Sequence, residues 1–319
     1  MQVTIDPSAG FCWGVVRTIE IAEFYLRQDP GNVYVLGDII HNPAEIERLQ
    51  KLGLKTITHS ELPKLKGTGA KVLIRAHGEP PSTYRIAYEC GIELIDATCP
   101  IVTKLQERVR KYYNLGYQIV LYGKKNHPEV RGVCGVCNDE CVVVLSVDEA
   151  LQLVDRTRKT ALFTQTTMDR ATFHQIEQAL REALTAEFVV DPDGDGQPGF
   201  SFFEAKDTIC GQVAGRESKL AQFAQAQDVV IFVAGRNSSN GKVLYATAKA
   251  ANPRTYFISD VDELRPEWLV GAERVGISGA TSTPHWLMAK VKEYIEKNFA
   301  SEPATVEHNN TEHHSFHSS

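Results

Sequence analysis

The 319-residue sequence lacks a membrane-length apolar run, an excess of positive charge and a paired set of cysteines. Its longest apolar run, VVIFVA at 229–234, falls far short of the ~20 residues that a spanning helix needs. The formal net charge is −6, so no global basic field draws nucleic acid. An anionic substrate must therefore be held by local groups. The first residues, MQVTIDPSAGFCWG, have neither a basic n-region nor an apolar h-region, which speaks against a secretory signal. Seven cysteines in such a chain argue against a disulfide framework and for reduced thiols in the cytoplasm, some of them ligands. No G-x-G-x-x-G follows a strand-like run, so there is no fingerprint for a nicotinamide or flavin.

What is present is an α/β pattern. Seven apolar runs read as strands: 32–40, 71–76, 92–97, 117–123, 159–165, 228–235 and 273–279. Several are continuously apolar, as strands of parallel sheets are when both faces are covered. Amphipathic helices lie between them. Val102, Leu105, Val109 and Tyr112 mark one buried face, and Ile46, Leu49 and Leu52 another. Leu287, Val291 and Ile295 mark the last.

The junctions repeat a device in which a polar side chain ends a strand and proline opens the next helix. It recurs at His41-Asn42-Pro43, His77 to Pro80, Cys99-Pro100, His127-Pro128 and Ser282 to Pro284. Proline is tolerated there because its missing N–H would be unpaired anyway. The device leaves a functional group beside the positive end of a helix, and open α/β sheets bind ligands outside the carboxyl ends of their strands. The spacing of Cys99 and Cys210 suggests three units, 1–98 with the N-terminal strand, 99–206, and 207–300 with the last helix. The stretch 191–199 reads as an exposed loop, and the tail 301–319 as disordered.

Cys12, Cys99 and Cys210 each stand at a strand-to-helix junction. Each alone reads as a small buried hydrophobe. Together, at the ends of distant strands, they would make a three-thiolate site with one coordination position open, as on a [4Fe–4S] cluster. His41, His77 and His127 share the same context and read either as metal ligands or as donors to an anion. No pair has the spacing of a zinc helix, which favours phosphate. Thr166, Ser238, Ser239, Asn240 and Ser282 add neutral donors at the other strand ends. Glu129, two residues after His127, reads as a solvated helix-start carboxylate or as a general acid. Cys134, Cys137 and Cys141 have metal-ligand spacing without a fourth ligand nearby. Asp191, Asp193 and Asp195 begin like a calcium loop but meet Phe202 where Glu is needed. Cys90 reads as packing, and the tail histidines as solvated.

These pieces resemble the 4-hydroxy-3-methylbut-2-enyl diphosphate reductase family. The matching segments are GFCWGV (10–15), HNP (41–43), AHG (76–78), DATCP (96–100), VTK (102–104), HPEV (127–130), TQTT (164–167), IC (209–210), NSSN (237–240) and SGATSTP (278–284). Their order and spacing are specific, although each alone is weak. The resemblance implies three α/β units in a trefoil around a [4Fe–4S] cluster held by Cys12, Cys99 and Cys210. It implies that His41, His77, His127, Ser238, Ser239, Asn240 and Ser282 hold a diphosphate. It gives proton transfer to Glu129, with His127 and Thr166 beside the substrate hydroxyl and Thr167 assisting. The implied reaction is reductive removal of that hydroxyl to isopentenyl and dimethylallyl diphosphate, with electrons from ferredoxin or flavodoxin. Two rivals use the same three cysteines: a redox-neutral hydro-lyase and a non-enzymatic iron–sulfur sensor. The 191–199 stretch, CGVCNDEC and the histidine-bearing tail have no counterpart in that resemblance.

Overall fold

The computed structural model describes residues 1–186 and 202–299. The proposed loop at 191–199 and the tail from 301 lie outside them. In chain order the strands are β1 (Gln2–Ile5), β2 (Val33–Leu36), β3 (Lys55–Ile57), β4 (Lys71–Ile74), β5 (Glu93–Asp96), β6 (Gln118–Tyr122), β7 (Val142–Val144), β8 (Thr160–Thr164), β9 (Phe203–Ala205), β10 (Val229–Val233), β11 (Thr255–Ile258) and β12 (Arg274–Gly279). The helices are α1 (Trp13–Gln28), α2 (Pro43–Lys51), α3 (Pro81–Cys90), α4 (Pro100–Asn114), α5 (Pro128–Gly135), α6 (Val147–Leu153), α7 (Arg170–Ala186), α8 (Gly211–Gln225), α9 (Ser239–Ala251) and α10 (His285–Phe299).

The strands form three parallel four-stranded sheets, ordered β3-β2-β4-β5, β7-β6-β8-β9 and β11-β10-β12-β1. Written this way the three orders are the same pattern. The N-terminal strand, grouped with the first unit on sequence, pairs in the third sheet, Val3 opposite Val275 and Ile5 opposite Ile277. There it takes the outer position that β5 and β9 take in the other two.

Each sheet separates two apolar clusters. In the sheet of β6 and β8, Val120, Leu162, Phe173 and Ile176 pack on one side, and Ile119, Leu121, Phe163 and Val133 on the other. The first and third sheets divide likewise. Covered faces on both sides explain why β6, β8 and β10 are buried at every residue and apolar except at Gln118, Thr160 and Thr164. Parallel pairing demands helical crossovers, and the intervening helices supply both covers. One helix-face assignment is corrected: Leu52 is 48% exposed, because α2 ends at Lys51 and the chain turns away at Leu52. No helix among the described residues is long and apolar enough to cross a membrane.

Candidate active site

The equivalence of the three sheets carries over to the loops at their carboxyl ends. After the outer strands β1, β5 and β9 the chain reaches Cys12, Cys99 and Cys210, the N-cap residues of α1, α4 and α8. The approach is the same each time. An aspartate accepts the N–H two residues on: Asp6 from Ser8 (2.8 Å), Asp96 from Thr98 (2.9 Å) and Asp207 from Ile209 (3.0 Å). Such local turns compete with extended structure and end the strand. Each cysteine N–H then donates to a loop carbonyl of the neighbouring strand end: Cys12 to Thr281 (3.1 Å), Cys99 to Ala76 (3.0 Å) and Cys210 to Thr166 (2.9 Å). Three thiols are thus fixed on backbone bonds at three helix starts.

The second strand in each sheet order, β2, β6 or β10, leads to a second set. His41 precedes Asn42, the N-cap of α2; His127 caps α5, and Ser238 caps α9. The third strands lead to a final set, with His77 after β4, Thr166 after β8, and Thr281 and Ser282 after β12. These groups, with Glu129, Thr167, Ser239 and Asn240, line one cavity with Cys12, Cys99 and Cys210. Its empty volume, mouth included, is about 810 Å³. Every residue singled out on sequence as catalytic, substrate-binding or ligating borders this space.

The three histidines face one another, with ring centroids 5.0 to 5.5 Å apart and ligand-capable nitrogens within 4.8 Å. Burial is the first cause that lowers the basicity of each, and the charge of buried Arg75 adds to it. His127 falls to about 3, and His77 drops well below its ordinary value. All three are therefore neutral near pH 7. The Nδ1 of His127 accepts from the Glu129 N–H (3.2 Å), which leaves the proton on Nε2. Among the described residues, His41 Nε2, His77 Nδ1 and Asn240 Nδ2 have no hydrogen-bond partner despite the burial of these atoms. Asn240 is oriented because its Oδ1 accepts from both Thr281 N (3.0 Å) and Thr281 Oγ1 (2.9 Å), turning the amide nitrogen away. Arg75 bears on all three rings and Lys124 on His41 and His127. That field disfavours a cation on the histidine triad and favours an anion.

Glu129 sits in the first turn of α5, 1% exposed. Its Oε1 accepts from Thr166 N (2.7 Å) and its Oε2 from Thr166 Oγ1 (2.8 Å). Burial outweighs those bonds and pushes its pKa up to about 7. A carboxyl that holds a proton near neutral pH suits a general acid. Burial also raises the Cys99 thiol, against the opposing pull of the Ile101 and Val102 amides.

Besides Arg75, four contributors were not singled out on sequence. Lys124 donates to Ser239 Oγ at 2.8 Å, and Arg216 bonds Gly10 O at 2.7 Å while facing Cys12 and Cys210. Thr281 orients Asn240. Gly14 leaves room for a thiol, because a β-carbon there would stand 2.8 Å from Cys99 Sγ. Lys124, three residues before His127, was within reach of the HPEV segment; the others depend on contacts between distant strand ends.

Residues 3–296 match the LytB protein family. The chain is 48% identical over 314 residues to the 4-hydroxy-3-methylbut-2-enyl diphosphate reductase of Chloroherpeton thalassium, covering 95% of this chain and 98% of that protein. It is 47% identical over 326 residues to the Chlorobaculum tepidum protein of the same name, with 94% and 97% covered. A solved structure of (E)-4-hydroxy-3-methyl-but-2-enyl diphosphate reductase superposes with TM-score 0.67 at 34% identity, covering 93% of this chain and 100% of that one. The reductase structure from Plasmodium falciparum superposes with TM-score 0.79 at 26% identity, covering 92% and 87%. With the match running through nearly all of the described fold, the chain belongs to the LytB protein family.

Proposed function

We infer that this chain reduces (E)-4-hydroxy-3-methylbut-2-enyl diphosphate to isopentenyl and dimethylallyl diphosphate, with loss of the hydroxyl as water. The observation that carries the reading is one cavity lined both by three equivalent thiols and by buried polar groups that have no hydrogen-bond partner among the described residues. The donor set fits a [4Fe–4S] cluster on Cys12, Cys99 and Cys210, since thiolates are the usual ligands and no fourth cysteine borders the cavity. When bound, the cluster would supply electrons one at a time and Lewis acidity toward the substrate alcohol.

The protein's own groups do the rest. The N–H groups of His41, His77 and His127, the Asn240 amide and the hydroxyls of Ser238, Ser239 and Ser282 take the diphosphate and fix its orientation. Lys124 and Arg75 supply positive potential from behind. Thr166 holds Glu129 and shares its hydroxyl with the substrate alcohol. Glu129 gives its proton to the departing hydroxyl. Enclosure by three units keeps bulk water from the allylic fragment. With no nicotinamide or flavin fingerprint in the chain, electrons come from a separate carrier of the ferredoxin or flavodoxin class, in the cytoplasm.

His41→Asn weakens substrate binding by about 1.5–3 kcal/mol, the worth of a charge-assisted donor, or roughly 10–150-fold in Kd. Iron content stays normal, as calorimetry beside iron analysis will read. Substrate binding also takes up protons near pH 7. The histidines are neutral in the free site because their pKa values are lowered, and a polyanion raises them. Binding therefore tightens as pH falls, and titrations in two buffers of different ionisation enthalpy measure the uptake. Gly14→Ala drives a methyl into Cys99 Sγ and lowers iron per chain after anaerobic reconstitution. Normal iron in that variant would mean that Cys99 can move without loss.

A further inference from the structure

Given the diphosphate cradle inferred above, on which this rests, we propose that Glu45 is a positioning residue for substrate, joining the start of α2, behind His41, to the start of α10, behind Ser282. Glu45 stands four residues after His41, and Trp286 four residues after Ser282. Each lies in the first turn of its helix. The Trp286 Nε1–H donates to Glu45 Oε2 at 2.7 Å, across 241 residues of sequence. Arg48 grips the same carboxylate at both oxygens, Nε to Oε2 at 2.9 Å and Nη2 to Oε1 at 2.6 Å. That Nη2 also reaches Glu23 Oε1 at 2.6 Å, in the helix that Cys12 caps. The Glu45 N–H donates to Asn42 Oδ1 at 3.2 Å and closes the cap of α2 directly behind His41. One buried carboxylate thus meets the first turns of α2 and α10 and, through Arg48, the body of α1.

Apolar contact at this seam does not fix its register. Ala44 packs on the cluster of the third sheet that holds Leu287 and Met288, and such contact is non-directional. Hydrogen bonds to a buried carboxylate are directional and admit one geometry. A buried ion pair adds little net stability, because desolvation offsets its attraction, and registry is its best-attested use. Here the registered parts are the loops of the cradle. A β-carbon on Gly235 would run into the His41 carbonyl, so the chain just before Ser238 already lies against the His41 loop. The Glu45–Trp286 bond adds the loop of Ser282 to that assembly. One diphosphate must meet His41, Ser238 and Ser282 together, so their spacing sets affinity. Glu45, Arg48 and Trp286 do not border the cavity, and losing their contacts leaves proton and electron transfer in place.

The test compares Trp286→Phe, which removes the N–H and keeps an aromatic ring, with Glu45→Ala in iron-loaded protein. Calorimetry gives Kd for (E)-4-hydroxy-3-methylbut-2-enyl diphosphate, a reduced viologen gives kcat and KM, and iron is counted per chain. Glu45 keeps Arg48 in the first variant, and Arg48 keeps Glu23 in the second, so neither strands a charge. The expected result is a rise of about tenfold in Kd and KM, the scale on which changes along a coupled network act, with kcat within about twofold and iron unchanged. In a His41→Asn background Trp286→Phe raises Kd less than it does alone, because both changes then disturb one contact. Unchanged Kd in either variant overturns the proposal, as do effects that multiply in full with His41→Asn. Loss of iron or of fold in Trp286→Phe also overturns it, by making the contact structural only. A wild type that does not bind the diphosphate removes the substrate reading and this proposal together. A wild type that binds, beside variants that bind equally well, removes the proposal alone.

Discussion

Glu129→Gln lowers turnover on the hydroxylated diphosphate by about 10²–10⁴-fold while substrate still binds, the usual range for loss of a general acid. The substitution preserves size, and the Thr166 hydroxyl can rotate to accept from the new amide, so the fold and the iron content are unchanged. The pH profile gives a second reading. Burial places the Glu129 pKa at about 7, so the proton-donating form prevails below that pH and is lost as pH rises through it. Wild-type turnover therefore falls on the alkaline side of about 7, and the glutamine variant lacks that limb. The check is kcat across pH with a reduced viologen as electron source. Near-normal turnover in the variant would move proton delivery to Thr166 and a bound water.

Cys99→Ser removes most of the iron and essentially all activity. Serine places a hard, high-pKa hydroxyl where a soft thiolate is required. The equivalent changes at Cys12 and Cys210 behave alike, because all three residues cap helices after the outer strand of equivalent sheets. Iron and sulfide per chain after anaerobic reconstitution make the comparison. A Cys99→Ser protein that stays loaded, beside a Cys134→Ser protein that does not, would reverse the assignment.

Much of this site is legible along the chain because its groups sit at junctions with local signatures. A continuously apolar run followed by His, Cys or Thr and an early proline marks a strand end facing a helix start. Of the buried central strands, β8 and β10 reach Thr166 and Ser238 with no proline before the next helix, whereas β2, β4, β6 and β12 lead to such a junction. The short strands β3, β7, β9 and β11 do not, because three or four residues at a sheet edge leave no period to read. The home of β1 was hidden for a different reason, since its partner β12 lies at the other end of the chain. The aspartates before the cysteines were visible as D-x-x-C at Asp96 and Asp207, yet their shared role needs the third case, Asp6, where the spacing is longer. Arg75 and Arg216 act through space on groups from other strand ends, so their charges carry no local mark.

The rival readings of a three-cysteine cluster differ in what they do with electrons. A hydro-lyase moves water without net reduction, and a ligand sensor turns nothing over. The decisive measurement is therefore an electron count: reconstituted protein, oxygen excluded, a limiting amount of (E)-4-hydroxy-3-methylbut-2-enyl diphosphate, and a reduced viologen followed optically while products are quantified. The account predicts two electrons consumed per substrate, with isopentenyl and dimethylallyl diphosphate together equal to the substrate lost. Loss of substrate without viologen oxidation, or binding without any turnover in iron-loaded protein, would contradict it.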